Sequence, residues 1–514
     1  MCKSIFNEVL GPVMRGPSSS HTAASWRMGL YARSLLGEPV AEGRISFDSA
    51  GSYGEVYAQQ GSDKAFLTGL LDWDISDERF FSVYSHAKQA GMDVTFEVIS
   101  LEGAEHPNDV DLWFRGISGR EILLRGRSIG GGAVEFLSFN GFPYHSWGKE
   151  YDLFLEINSK NAGDLEKTLQ ERFSSLSWTR QDKEGKSLFS LVFTEDPGQL
   201  YGARALESLP GTVYVASPLF YPLRGEPLFS SAREMLAFAE KEGCSLGEAG
   251  LRYEALLLGL SREEALEEMV RRYRVMRRAT EVGLSEDPGQ MRLLSPSAGK
   301  IYTREAEGSL PLGGILTRAA ARSMAALHVN SAMGVVCAAP TGGAAGVIPG
   351  VAVTLEEEWH LSEEAVAKAL FAAGAVGLIV SIRATFAAEV AGCQAEIGVA
   401  GAMGAALVAE AAGCQAEIAC NAAAVALQNT MGSICDPVKG CVEIPCHTRN
   451  ALAASSAFLN VDLVAGGYVN PIPLDETVDA SYASGKMLPP ELRCTAKGGI
   501  AVCPSALAMK VVSI

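Results

Sequence analysis

Several features that define common protein classes are missing from this sequence. Basic residues are in deficit, 43 against 60 acidic residues, and the formal net charge of −17 argues against nucleic-acid or anionic-membrane partners. The longest uninterrupted apolar run, residues 397–409, is too short to span a bilayer. No basic segment followed by an apolar segment opens the chain, so we expect no secretory signal. These absences predict a cytoplasmic protein that binds neither nucleic acid nor membrane.

The sequence also lacks the cysteine spacings of two common kinds of metal site. The paired CxxC motifs of zinc ribbons and the closely spaced cysteine runs of ferredoxins are both absent. The chain nevertheless has 11 cysteines, and six of them lie between residues 389 and 450. Without a secretory signal, we expect these thiols to act as ligands or to remain free rather than to form disulfides.

The segment 389–450 combines its cysteines with a background of alanine, glycine and valine. Thiolates favour soft metals such as zinc, copper(I) or iron–sulfur clusters. A cysteine can equally be a small buried apolar residue. Cys435 and Cys446 each lie within two residues of a proline, which predicts rigid turns rather than helix interiors. The spacing alone indicates a metal site without naming the metal.

Several long motifs resemble the iron–sulfur L-serine dehydratases and occur in the same order as in that family. They are GPSSSHT near the N-terminus, SAMGVVCAAPTGGAAGVIPG at residues 331–350, AGCQAEIGVAGAM, ALQNTMGSICDPVKGCVEIPC with RNALA, and DETVDASYASGKMLPPELRCTAKGGIAV near the end. The likeness covers most of the chain and is weakest at about residues 150–225. The resemblance implies an enzyme that deaminates L-serine to pyruvate and ammonia.

The resemblance also implies a [4Fe–4S] cluster and its ligands. Cys393, Cys435 and Cys446 match the three cysteine ligands of the family, which leave one iron without a protein thiolate. An open coordination position would make that iron a Lewis acid for the departing hydroxide. A second AGCQAEI copy makes Cys414 a competing ligand, but only the first copy is followed by the GxAxAM pattern of the family.

Two segments are predicted to contact the substrate. A run of serines precedes an alanine-rich helical stretch, and free N–H groups at a helix N-terminus attract a carboxylate. A glycine-rich loop after Pro340 can aim its backbone N–H groups at an anion, because its side chains are small or absent. On sequence alone, the serine run could be a helix cap and the glycine-rich loop a break between helices. The resemblance instead implies that both segments contact the substrate. The residues concerned are Ser18, Ser19, Ser20, Thr341, Gly342, Gly343 and Ala344.

His21 matches the histidine of the GPSSSHT motif and is the predicted acid–base residue. The family usually has a second histidine in a GHGTD-like motif, where this chain has Gln60. Glutamine does not titrate near neutral pH, so His21, or a thiolate of Cys494 or Cys503 in the tail, must carry the proton. Gln60 therefore keeps two alternatives open: an iron–sulfur lyase for another small β-substituted acid, and a catalytically silent metal-binding regulatory protein.

The sequence predicts an α+β fold in three parts. Residues 1–150 are an α/β domain with strands near 94–98, 111–114 and 121–124. Residues 151–225 form a small module and a linker; the module resembles ACT regulatory modules, with a plain spacer as the alternative. Residues 226–514 form an all-α catalytic domain rich in alanine and glycine. We further expect a homodimer that acts on a small amino-acid substrate.

Overall fold

The structure is a computed structural model that describes residues 3–49, 51–58, 60–106, 108–173, 177–285 and 287–512. The chain divides into two compact units. The sheet unit is continuous, Ser20–Arg224, and the helical unit combines Met1–Ser19 with Gly225–Ile514. The three predicted domains stay a prediction, but the assignment of the first residues to the helical unit was not foreseen.

The secondary structure confirms the predicted mixture of strands and helices. The strands are β1 (Val13–Arg15), β2 (Val40–Asp48), β3 (Asp93–Ile99), β4 (Asp109–Gly116), β5 (Glu121–Gly130), β6 (Ala133–Phe139), β7 (Phe142–Ser146), β8 (Tyr151–Asn158), β9 (Trp178–Lys183), β10 (Lys186–Phe193), β11 (Thr212–Ala216) and β12 (Val335–Cys337). The α-helices are α1 (Thr22–Leu36), α2 (Ser52–Val56), α3 (Ser62–Leu70), α4 (Val83–Gln89), α5 (Ala162–Arg172), α6 (Pro197–Tyr201), α7 (Ala203–Glu207), α8 (Ala232–Glu242), α9 (Leu246–Leu258), α10 (Arg262–Leu284), α11 (Ala298–Ala306), α12 (Ile315–Ser331), α13 (Val347–Trp359), α14 (Glu363–Arg383), α15 (Ala388–Ala391), α16 (Ile397–Ala411), α17 (Ala416–Gln428), α18 (Cys446–Ala465), α19 (Leu474–Lys486) and α20 (Pro504–Ala508).

The larger sheet of the sheet unit has six strands in the order β3-β2-β4-β5-β6-β7. Only β2 and β3 are parallel neighbours, and a parallel pair needs a crossover connection, which α2, α3 and α4 supply. Alternate strand residues enter a core with Tyr31 and Phe66 from the helices. The predicted strands near residues 94–98, 111–114 and 121–124 are confirmed as β3, β4 and β5. The tight turn between β5 and β6 consists of three consecutive glycines with positive φ, residues 130–132.

A second, four-stranded antiparallel sheet has the order β11-β8-β10-β9. With α5 and the short α6 and α7, its chain order is β-α-β-β-α-β, and it has its own apolar core around Leu155, Leu165 and Phe189. Part of the predicted linker, residues 199–225, is strand β11, because its prolines lie on either side of that strand and remove none of its hydrogen bonds. A regulatory ACT-like role for this module stays a prediction.

The helical unit confirms the predicted alanine- and glycine-rich core. Helices α12, α14, α16 and α18 each bury long runs of small residues. Helix α14 is also long and apolar enough to cross a membrane, but 78% of its most apolar window is buried inside the protein. The core helix of a soluble protein passes the same length and composition test, so α14 needs no membrane to cover it.

The N-terminal residues are bound into the helical unit by buried hydrogen bonds. Glu254 of α9 accepts from the Ser4 hydroxyl at 2.5 Å and from the backbone N–H groups of Ile5 and Phe6 at 2.7 and 2.8 Å. Strand β1 then pairs with β12, placing Val13 opposite Cys337. These contacts join residues far apart in the chain, so no local sequence pattern indicates them.

Replacing Glu254 with Ala is expected to lower the free energy of unfolding by about 3 kcal/mol, because two backbone N–H groups and a hydroxyl would stay buried without their acceptor. Chemical denaturation measures the change. Glu267→Ala is the control, because Glu267 is an exposed residue of α10, and we expect a shift within about 0.5 kcal/mol. Equal effects of the two substitutions would contradict a stabilising role for Glu254.

Candidate active site

The three predicted ligand cysteines lie close together in the helical unit. Cys393 begins a 3₁₀ turn before α16, Cys435 lies in a short extended segment, and Cys446 begins α18. Burial raises the pKa of the Cys393 thiol to about 12. Burial, and then the charge of Cys393, raise the pKa of Cys446 well above its usual range. The mutual electrostatic effects mark these thiols as near neighbours.

A fourth thiol, Cys494, belongs to the same group. The Cys435 N–H donates to the Leu492 carbonyl at 2.9 Å, and the Cys494 N–H donates to the Cys435 carbonyl at 2.8 Å. A hydrogen bond with Cys494 is the main cause that raises the pKa of Cys435, ahead of burial. Of the two tail cysteines that the sequence left open, Cys494 therefore joins the thiols, whereas Cys503 precedes α20 as its N-cap; both residues are exposed.

Cys414 occupies a different environment from the four neighbouring thiols. It is half-buried in the turn between α16 and α17, and burial is the single cause that raises its pKa. No charge effect from another cysteine reaches it, in contrast to Cys393. The duplicated AGCQAEI sequence thus gives two structurally different cysteines.

Two side chains one turn into α18 connect the thiols to their surroundings. The Arg449 guanidinium donates to the Ile434 carbonyl at 2.8 Å, pairs with Asp436 at 2.9 Å and lowers the pKa of Cys393. The Asn450 amide donates to the Cys446 and Gly343 carbonyls, each at 2.9 Å. Sequence reasoning missed both residues, although a spacing of three and four from Cys446 predicts the same helix face.

The predicted anion-binding loop is held beside these residues. Its Gly346 N–H donates to the Asn450 side chain at 3.3 Å. Within the described chain, the backbone N–H groups of Gly342, Gly343 and Ala344 donate to no protein acceptor. Backbone donors inside a protein are rarely left unpaired, and consecutive free donors of this kind can bind an anion.

The first residues of the GPSSSHT motif lie next to this loop. A Cβ on Gly342 would lie 3.1 Å from the Pro17 carbonyl oxygen and 3.3 Å from the Ser19 nitrogen. The Asn330 amide donates to the Pro17 carbonyl at 3.2 Å, and Ser19 is buried. The structure therefore brings Ser19 to the predicted loop, and Ser18 lies in the same unit.

Ser20 and His21 belong to the sheet unit. The alternative that the serines cap a helix is excluded, because His21 itself is the N-cap of α1, without a side-chain capping bond. The His21 carbonyl instead accepts from the Ser25 and Ser62 hydroxyls at 2.5 and 3.2 Å. Its ring packs edge-on against Tyr53, and burial lowers its pKa to about 4. His21 is therefore a neutral imidazole at neutral pH.

Gln60, at the position of the second family histidine, lies just before α3. Its backbone N–H donates to the Val56 carbonyl at 2.9 Å. Its side-chain carbonyl oxygen is buried and has no hydrogen-bond partner among the residues that the structure describes. A buried acceptor without a donor is unfavourable, so this oxygen is available to a ligand.

Sequence reasoning also missed Glu396, which precedes α16 and lies three residues after Cys393. Burial, followed by the charge of Glu389, raises its pKa to about 8, while the Thr341 hydroxyl lowers it. Its charge raises the pKa of Cys393, Cys435 and Cys446. The acidic residue of the AGCQAEI motif was the available signal, since buried carboxyl groups with shifted pKa values concentrate at functional sites.

An iron–sulfur cluster fits the donor set at this site. No three described His, Cys, Asp or Glu side chains form a group that could hold a single metal ion. In a cluster, however, each thiolate binds a different iron, so the ligands stand farther apart than around one ion. The buried thiols are soft donors, and bound metal would ionise them despite their raised pKa values.

The chain is similar to several proteins named as serine dehydratases. Residues 172–501 match the family described as "Serine dehydratase alpha chain". The "Probable L-serine dehydratase, alpha chain" of Bacillus subtilis is 34% identical over 54% of this chain and 93% of its own length. The "Probable L-serine dehydratase, beta chain" of the same organism is 39% identical over 31% of this chain and 70% of its own length. The "L-serine dehydratase" of Streptomyces coelicolor is 27% identical over 95% of this chain and 96% of its own length.

The matches with proteins named as serine dehydratases identify the chain as an enzyme of the lyase class. The chain belongs to the serine dehydratase alpha chain family. It also resembles a separate beta chain, and its similarity to the Streptomyces coelicolor protein runs nearly end to end. This single chain therefore resembles both kinds of chain.

Replacing Cys393, Cys435 or Cys446 with Ala is expected to abolish the bound iron and sulfide, because each would supply one thiolate to the cluster. Cys414→Ala is the matched control and should keep both, since Cys414 lies away from the other thiols. Iron and sulfide analysis after anaerobic purification, with the visible absorption spectrum, measures the outcome. A cluster that survives Cys393→Ala but not Cys414→Ala would overturn the ligand assignment.

Proposed function

We propose that the protein is an L-serine dehydratase that converts L-serine to pyruvate and ammonia with a [4Fe–4S] cluster bound by Cys393, Cys435 and Cys446. The observation that carries the proposal is the grouping of these thiols beside a loop with free backbone N–H groups. The relatives named L-serine dehydratase support the choice of substrate. We propose further that the enzyme is a cytoplasmic homodimer.

The cluster, when bound, supplies a Lewis acid that stabilises the charge of the departing hydroxide. The protein contributes the position of the substrate. The N–H groups of Gly342, Gly343 and Ala344 bind its carboxylate, and Asn450 holds this loop against the first residue of α18 through its two amide hydrogen bonds. Small side chains along the loop allow the close approach that short hydrogen bonds need.

We assign the removal of the α-proton to His21. An imidazole is a base only in its neutral form, and burial keeps His21 neutral by lowering its pKa to about 4. Loss of the proton and of the hydroxide gives aminoacrylate, which tautomerises and hydrolyses to pyruvate and ammonia. Tyr53 packs against the His21 ring and restricts its orientation.

One observation favours a second candidate function. The buried Gln60 oxygen lacks a partner and stands where the family has a histidine. An amide accepts a hydrogen bond without changing its charge, so it would suit a substrate with an additional donor group. A related lyase that acts on another small β-substituted acid therefore remains the alternative.

The anaerobically reconstituted enzyme is expected to release pyruvate from L-serine faster than it releases 2-oxo acids from L-threonine or L-cysteine. Exposure to air should remove this activity, because an iron without a protein thiolate is open to oxidants as well as to substrate; iron with a reductant should restore part of it. A coupled assay measures the 2-oxo acid. Turnover of L-serine that persists unchanged through hours in air would refute a catalytic cluster.

Replacing His21 with Ala is expected to lower kcat/KM for L-serine by about 10²–10⁴-fold, the usual contribution of an acid–base group. Because its pKa is about 4, His21 stays neutral from neutral pH down to about pH 4. Protonation of His21 should therefore cause no fall in the kcat/KM of the wild type over that range. Added imidazole should restore part of the lost rate. His145→Ala, at an exposed histidine of the same unit, is the control. Near-wild-type turnover by His21→Ala would show that another group takes the proton.

A further inference from the structure

We propose that Glu396 binds the α-ammonium group of the amino-acid substrate. The inference rests on the proposed function, because it assumes an amino acid whose carboxylate lies at the loop of Gly342, Gly343 and Ala344. It adds a positioning residue that neither the sequence motifs nor the comparisons assign.

The hydrogen-bond partners of the half-buried Glu396 differ from those of two fully buried glutamates in the helical unit, Glu254 and Glu443. Glu254 accepts from two backbone N–H groups and one hydroxyl. Glu443 accepts from three backbone N–H groups, those of residues 292–294, at 2.7–2.9 Å. For Glu396, no side-chain hydrogen bond with a described residue is formed: the Thr341 hydroxyl lowers its pKa but has no hydrogen-bond partner among the described residues. The first two carboxyl groups are satisfied by the fold, whereas Glu396 keeps acceptor capacity for a ligand.

A capping role does not account for Glu396. It is the N-cap residue of α16, where an acidic side chain commonly accepts from the first turn. Its side chain makes no capping hydrogen bond, and its backbone is in the helical region rather than the extended region. In contrast, Ser231, Ser245 and Ser261 each cap their helices through a side-chain oxygen.

The distance between Glu396 and the loop suits an α-amino acid. A Cβ on Gly343 would lie 3.3 and 3.5 Å from the two Glu396 carboxyl oxygens. The carboxylate and the ammonium group of an amino acid are attached to the same carbon, so their binding groups must be close neighbours. Free N–H donors at Gly342, Gly343 and Ala344 with a carboxylate beside them meet this requirement for a zwitterion.

The charges around Glu396 leave a place for a cation. The charge of Glu389 raises the pKa of Glu396. The charge of Glu396 in turn raises the pKa of the thiols of Cys393, Cys435 and Cys446, on which the Cys494 thiol also acts. The nearby cation, Arg449, is engaged by Asp436 and the Ile434 carbonyl. A buried carboxylate without a paired cation is unfavourable, and a bound ammonium group would supply the missing charge.

Two ligands that differ only in the amino group test this role. L-Serine and 3-hydroxypropanoate share the carboxylate and the β-hydroxyl, but 3-hydroxypropanoate has no ammonium group. For the cluster-loaded full chain, wild type and Glu396→Gln, anaerobic steady-state assays give KM for L-serine and the inhibition constant of 3-hydroxypropanoate, and titration calorimetry gives the dissociation constants of both ligands for any variant without turnover. We expect Glu396→Gln to weaken the binding of L-serine by about 30-fold or more, which is the usual effect of removing one partner of a buried charge pair. The affinity for 3-hydroxypropanoate should not fall.

Two variants control for indirect effects. Glu389→Gln removes an exposed neighbouring carboxylate and should leave both affinities near wild type. Glu396→Asp keeps the charge on a shorter side chain and should recover part of the preference for L-serine over 3-hydroxypropanoate. Because the test is a ratio of two affinities, Glu396→Asp decides the question even if Glu396→Gln fails to fold or to hold the cluster.

The outcomes separate this inference from the proposed function. If the wild type releases pyruvate from L-serine and Glu396→Gln weakens the binding of both ligands equally, the ammonium assignment is overturned while the function stands. An unchanged affinity of Glu396→Gln for L-serine would also overturn the ammonium assignment and leave the function standing. If the loaded wild type neither binds L-serine nor releases pyruvate from it, the proposed function and this inference both fall.

Discussion

Close contact between helix backbones is the constraint on which the helical unit depends. A Cβ on Gly283 of α10 would lie 1.9 Å from the Ala325 carbonyl oxygen of α12. A Cβ on Gly250 of α9 would lie 2.5 Å from the Phe371 carbonyl oxygen of α14. No side chain fits at these contacts, so the helices approach more closely than larger residues would permit. The helix ends and loops of this unit are correspondingly close together, which allows four thiols, a carboxyl group and three free N–H groups to share one region.

Such a core excludes water, and every charged or polar group in it needs a partner. The protein provides partners for Glu254 and Glu443 from its own backbone. It provides none for the N–H groups of residues 342–344, and it leaves the cysteine thiols with strongly raised pKa values. The two structural carboxyl groups are therefore satisfied internally, whereas the N–H groups of residues 342–344 have no acceptor among the described residues. This contrast gives the proposed cluster, the substrate carboxylate and the substrate ammonium group a common physical basis.

Local patterns were enough to predict most of the elements. The apolar alternation at residues 94–98 and the helical spacing at 261–282 correspond to β3 and α10, because these periods reflect one strand or one helix at a time. The same reasoning could not find β11, which forms only by pairing with β8, or the packing of residues 4–6 onto Glu254. It also left a helix cap by the serines open as an alternative, whereas His21, one residue after them, is the N-cap of α1.

Residue types and motif order by themselves determined the family, the alanine- and glycine-rich helical core and the candidate ligands Cys393, Cys435 and Cys446. Those properties depend on which side chains are present and on short-range periodicity. Only the tertiary structure decided that Cys494 joins these thiols, that Cys414 does not, and that Glu396 faces the loop at Gly343. The physical reason is that burial and charge effects depend on distances in space between residues such as 435 and 494, and sequence separation carries no information about those distances.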